Sequence, residues 1–216
     1  MPDIFDEVEE ELRADRMKRL LTRYGGLLAG VVLLVVVGVA GLQGWRWWQG
    51  RQAAQAAATY LAAGQAAAAE GADLKAVADR FAAIAADAPA GYRSLARLRA
   101  AALKAEAGER TEALALWEAA ASDSGADPLL RDLATLLWGL HALDSGDPAM
   151  IEARLAPLAA AGNPWRASAE EIRALAALRR GETEAARQTL SRLAAADDVP
   201  HGVRDRAGKL LAGLGG

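Results

Sequence analysis

Prolines and glycines alternate along most of this chain at a nearly constant interval, and no other feature restricts its fold as tightly. Pro89, Pro128, Pro164 and Pro200 stand 39, 36 and 36 positions apart. Gly71, Gly108, Gly146 and Gly181 interleave with them at 37, 38 and 35, so each step between breakers is 17 to 20 residues. Proline suits the first turn of a helix, where its missing N–H is not needed. Glycine suits the left-handed position just past a helix end. Each proline therefore opens a helix, each glycine closes it, and a second helix returns. The pattern predicts a helical hairpin repeated about every 36 residues.

The stretches between breakers carry helical periodicity. Leu133, Leu136, Leu137 and Leu140 fall at i, i+3, i+4 and i+7, and Leu95, Leu98, Ala102 and Ala105 repeat this more weakly. After the glycines the second helices align: Ala113, Trp117 and Ala120; Ile151, Leu155 and Leu158; Ala186, Leu190 and Leu193. That small, large, medium trio resembles the second helix of tetratricopeptide (TPR) repeats, whose usual period is about 34 residues. The Trp-Leu-Gly-Tyr signature of the first helix is missing, so the units are divergent and TPR-like. Their expected bounds are 51–88, 89–127, 128–163 and 164–199, with 200–214 a lone helix capping the stack. The first unit is the least regular, and its leading helix is expected to continue the apolar helix before it.

Alanine makes up about a quarter of the chain, and it is the best helix former because it loses no side-chain entropy. Strand-favouring Val and Ile are scarce outside Val31 to Val39. The fold class is thus all-α: one N-terminal transmembrane helix, then a TPR-like α-solenoid of hairpins with a C-terminal cap. Net charge is -3 with both signs mixed. No basic stripe follows residue 51, which argues against nucleic acid, whose phosphates need clustered Lys and Arg. Cysteine is absent, so there is no disulfide framework, thiolate metal site or Cys nucleophile.

From Tyr24 to Trp45 no residue is charged, and Gly25 to Leu42 is almost wholly apolar. Eighteen such residues reach about 27 Å as a helix, close to the roughly 30 Å hydrocarbon core of a bilayer. A soluble core helix would carry a polar face, and this run has none. The expected division is a tail over 1–23, a transmembrane helix over 24–45 and a repeat domain over 46–216. Arg13, Arg16, Lys18, Arg19 and Arg23 precede the span, whereas only Arg46 and Arg51 follow it closely. By the positive-inside rule the tail is cytoplasmic and the repeat domain is exported, and the acidic residues of the tail count little. Tyr24 and the cluster Trp45, Trp47 and Trp48 stand at the two boundaries, where amphipathic rings favour the headgroup layer. Gly38-Val39-Ala40 offers small residues where a signal peptidase cuts. The long acid-rich leading segment and the apolar run on to Leu42 favour an anchor instead. Gly26 and Gly30 form a small-xxx-small pair that can let membrane helices pack closely. Ile4, Phe5, Val8 and Leu12 give the tail an apolar stripe at helical spacing.

Catalytic patterns are absent. His141 sits on the leucine-rich helix and is expected to pack; His201 follows Pro200 at a helix start and is expected to be solvated. No GxSxG, HExxH or Walker-type loop occurs, and the adjacent carboxylates Glu170-Glu171 and Asp197-Asp198 do not pair across a site. The expectation is a protein that catalyses nothing, takes no cofactor, metal or small-molecule substrate, and binds other proteins. Trp117, Trp138 and Trp165 are the large side chains of an alanine-rich stack and can either fill its core or anchor a partner in its groove. Tyr60, Tyr92 and Trp138 are the candidate groove residues, and the Gly26/Gly30 face or the stack edges are candidate homo-oligomer contacts.

A short tail, one span ending in Gly44-Trp45-Arg46-Trp47-Trp48 and a helical repeat domain resemble the ancillary SecYEG translocon subunit family. The likeness continues at Gly91-Tyr92 with Leu95-Ala96, at Trp165 with Gly181 and Ala186, and at the Pro200 helix with Leu210 and Leu211. The resemblance implies a single-pass inner-membrane protein with a periplasmic TPR-like domain. Its implied partners are Sec translocon subunits and a membrane-anchored periplasmic chaperone. Alternatives are a TPR-domain coordinator of cell division with envelope assembly, or a self-assembling envelope scaffold.

Overall fold

The structure, a computed structural model, describes residues 4–215, and side chains for Lys18 and from Thr22 onward. The tail stripe Ile4, Phe5, Val8 and Leu12 lies outside the described side chains, as do Arg13, Arg16 and Arg19. Among the described residues the chain is all helix and turn, without a strand. It divides into two compact units, residues 1–52 and 53–216.

The first unit consists of helix α1 (Ile4–Ala67) up to Gln52. From Thr22 on, α1 contains a stretch long and apolar enough to cross a membrane, a property that anchors and leader peptides share. Leu27, Val31, Leu34, Val37 and Leu42 are all exposed. Apolar surface this continuous marks a site of membrane or protein contact, because water is a poor solvent for it.

The second unit takes the end of α1 and adds α2 (Leu74–Asp87), α3 (Ala90–Glu106), α4 (Arg110–Ala121), α5 (Pro128–Ala142), α6 (Pro148–Leu155), α7 (Arg166–Arg179), α8 (Thr183–Ala195) and α9 (His201–Gly213). From α2 onward each helix packs on the next, and α3, α5, α7 and α9 also meet their next-but-one neighbours. That is the contact pattern of a solenoid of hairpins, in which each unit buries its apolar face on its neighbours.

The breakers act largely as expected. Pro128 occupies the first turn of α5, Pro89 and Pro200 sit one place earlier, at the N-caps of α3 and α9, and Pro164 falls short of α7, one place before its N-cap Trp165. Gly71, Gly108 and Gly181 have φ of 71°, 82° and 80°. At Gly108 the chain closes α3 with paired bonds, Gly108 N–H to Ala105 O at 3.0 Å and Glu109 N–H to Lys104 O at 2.8 Å. Gly181 and Glu182 repeat that closure on Leu178 and Ala177 at 3.0 Å each.

Gly146 departs from the expectation. Its φ is not positive, and the left-handed glycine of that repeat is Gly162, at 86°. Gly146 is needed for space: its N–H bonds Ala142 O at 2.7 Å, and a Cβ there would lie 2.9 Å from the same oxygen. The third hairpin also differs, because α6 ends at Leu155 and passes into a 3₁₀ turn, Ala156–Ala159. Pro157 explains the break, since it has no N–H to continue the α-helical ladder.

All nine trio residues of α4, of α6 with its 3₁₀ turn, and of α8 are buried. Trp117 is the largest of the fully buried side chains. It centres the main core with Leu98, Leu136, Ile151 and Leu155. The cap α9 buries Val203 and Ala207 against Leu190 and Leu193 of α8. Three helix starts are closed by aspartates: Asp73, Asp127 and Asp147 each accept a bond from a backbone N–H two residues on, at 2.8–3.1 Å.

Candidate protein-interaction groove

In this stack the first helices of the third and fourth hairpins, α5 and α7, lie side by side, and the cap α9 lies beside α7. Between them runs an open cavity of about 630 Å³. Its α5 wall is Leu136, Leu137 and Leu140, its α7 floor Ser168, Glu171, Ile172 and Leu175, and its α9 wall Arg206, Lys209 and Leu210. Leu136 and Ile172 are buried, Leu137, Leu175 and Leu210 half-buried, and Leu140 is 46% exposed. The leucine stripe of α5 thus serves two surfaces, since it begins in the core and ends on the groove lip. Exposed leucine in a concave surface contributes binding energy when a partner removes it from water, at about 25 cal/mol per Å².

One buried carboxylate stands in this apolar channel. Glu171 is 6% exposed and accepts two bonds from Arg206, Nε at 2.7 Å and Nη2 at 2.6 Å. The fork of a guanidinium matches both carboxylate oxygens, which is why an arginine holds this position rather than a lysine. The pair joins α7 to α9 and fixes that wall of the groove. Lys209 is exposed and forms no ion pair among the described residues.

The tetratricopeptide repeat-like domain family matches residues 18–204. The chain belongs to that family. No curated protein and no solved structure matches it. TPR-like domains generally bind other proteins, using the extended surfaces that stacked hairpins create.

The TPR-like stack separates the three aromatic groove candidates. Tyr60 and Tyr92 come together: the Tyr60 ring meets Phe81 edge-on at 5.1 Å and Tyr92 at 6.1 Å. Both tyrosines are half-buried around the fully buried Phe81. Trp138 lies apart from them, 8% exposed, with the Arg154 guanidinium 4.2 Å over its ring. It does not line the α5–α7–α9 groove. Leu140, Leu175 and Lys209, which do, were hidden in the sequence by their ordinary helical spacing. Only the position of the first helices in the stack reveals them.

Other candidates take their places as follows. Trp117 stacks on His141 at 4.3 Å, and burial pushes the His141 imidazole below its ordinary pKa. His201 is exposed and pairs with Asp205 at 3.0 Å. Trp165 is half-buried, its indole N–H reaching Leu129 O at 3.3 Å. In the first unit Tyr24, Trp45, Trp47 and Trp48 are exposed. The Trp45 and Trp48 rings lie 5.3 Å apart, and Arg51 sits 4.2 Å over Trp47. A Cβ on Gly26 or Gly30 would meet no atom within 4 Å, so that face of α1 is open. At the turn between α3 and α4, Glu109 pairs with Lys104 at 2.7 Å and Lys75 at 2.8 Å. Hydrogen bonds from Lys104 and Lys75 hold the Glu109 carboxyl below its ordinary pKa. Among the described residues no three His, Asp or Glu stand close enough to hold a metal.

Proposed function

We propose that this protein is a non-enzymatic, membrane-anchored interaction scaffold, an ancillary subunit of the Sec translocon that links it to periplasmic chaperones. The observation that carries the reading is a TPR-like stack with an open leucine-lined groove, in a chain whose first helix includes a membrane-length apolar stretch. On this reading residues 1–23 are a cytoplasmic tail, 24–45 the inner-membrane span and 46–216 the periplasmic repeat domain. The tryptophans Trp45, Trp47 and Trp48 settle at the periplasmic headgroup layer, and the Gly26/Gly30 face packs on membrane partners. Joint recognition follows: the span selects neighbours in the bilayer while the groove holds a chaperone or an emerging segment.

Affinity purification from mild-detergent extracts, with crosslinking in living cells, tests the assignment. Recovery of translocon subunits together with a membrane-anchored chaperone is the expected result. Recovery of only cell-division or cell-wall proteins would replace it with the coordinator role, and exclusive homo-oligomers with the self-assembling scaffold.

A further inference from the structure

We infer that the α5–α7–α9 groove selects a partner segment that is apolar and acidic: leucine-like side chains beside a carboxylate. This inference rests on the groove being the protein-binding surface. Its charge pattern sets the preference. The chain as a whole carries a formal charge of -3, yet the charged groups lining the groove are Glu171, Arg206 and Lys209 alone. Glu171 is neutralised by the two bonds from Arg206, whose side chain remains 56% exposed. Lys209 has no carboxylate partner among the described residues. The α9 wall therefore presents the Lys209 ammonium, with no carboxylate within ion-pair distance among the described residues, beside exposed Leu140 and half-buried Leu175 and Leu210.

The floor and the wall divide the work. Apolar contact supplies affinity without direction, since burial of leucine surface depends only on area. A rim ammonium adds direction and partner choice, because a basic residue opposite Lys209 meets repulsion while an acidic one meets attraction. The cavity is open along one side and crosses three helices, which suits a chain segment better than a compact small molecule.

Full-length protein in neutral-lipid nanodiscs, with empty nanodiscs as the blank, provides the test. The probes are two fluorescent synthetic peptides with the same leucine positions, one bearing Glu and the other Lys at the polar positions, read by anisotropy. The wild-type protein should prefer the acidic peptide by about threefold to tenfold, the range of a partly screened charge contact. Lys209→Met should abolish the preference and Lys209→Glu should reverse it, while Leu140→Asp weakens both peptides. Lys209 and Leu140 are exposed, so these variants keep the fold, and circular dichroism verifies it. Equal binding of both peptides by the wild type, lowered for both by Leu140→Asp, would overturn the charge preference and leave the groove reading standing. Binding that Leu140→Asp leaves untouched would overturn the groove reading itself, and the inference with it.

Discussion

Replacing Arg206 by methionine should destabilise the repeat stack, and replacing Glu171 as well should restore it. In Arg206→Met the Glu171 carboxylate, 6% exposed, loses both of its 2.6–2.7 Å bonds. Removing one partner of a fully buried pair costs roughly 3–5 kcal/mol, because the remaining charge is desolvated without compensation. Here the Arg206 side chain is 56% exposed, so water can reach the vacated space and the cost falls to about 2 kcal/mol. For a domain of this size that corresponds to a drop in Tm of roughly 4–8 °C. Glu171→Leu with Arg206→Met replaces the pair with apolar groups on a wall that is already apolar. The double variant should unfold within about 1 kcal/mol of the wild type. Thermal unfolding followed by far-UV circular dichroism measures all three proteins. An unchanged Tm in Arg206→Met, or a double variant no more stable than the single, would refute the claim that the carboxylate is buried and dependent on Arg206.

Further predictions concern the core, the turns and pH. Trp117→Ala should cost about 3–5 kcal/mol by denaturant unfolding, since it empties the centre of the main core; Trp117→Phe should cost less, because the buried indole N–H of Trp117 has no hydrogen-bond partner to lose. Gly108→Ala should cost about 1–2 kcal/mol through its left-handed backbone, whereas Gly146→Ala should act through the 2.9 Å approach to Ala142 O, which a crystal structure of the variant would show as a displaced α5 end. Stability should fall with pH in two windows. The depressed His141 contributes stability in full above its ordinary value of 6.5; the contribution is lost as pH falls from there through its folded-state value, and His141→Phe should remove this slope despite the nearby Arg110 and Asp144. The depressed Glu109 acts the same way below its ordinary value of 4.5, and Glu109→Gln should flatten that second window in urea titrations.

The hairpin stack was legible because breakers and burial follow simple physical rules. Pro128 and Pro200 mark helix starts, Gly108 and Gly181 mark left-handed ends, and the three trios after the glycines are the buried core of the second helices. The third hairpin was less legible. Gly146 looks like its counterparts in sequence but serves close packing, and Pro157 shortens a helix that the spacing alone extends through Leu158. The groove was hardly legible at all. The tryptophans of an alanine-rich stack could fill its core or anchor a partner; Trp117 and Trp138 are buried, with Arg154 over the Trp138 ring. Leu140 and Leu175 continue the periodicity of core residues, and the exposure of Leu140 and half-burial of Leu175 follow from how α5, α7 and α9 line up. The Glu171–Arg206 pair spans 35 positions in sequence and had no local signal.

Photocrosslinking in living cells, with the reactive side chain placed at Leu140 on the groove lip or at Met150, exposed on α6, tests the central claim most directly. A probe at Leu140 should capture translocon or chaperone proteins while one at Met150 captures none. Equal adducts from both positions, or none from Leu140, would contradict a TPR-like scaffold that recognises proteins through this groove.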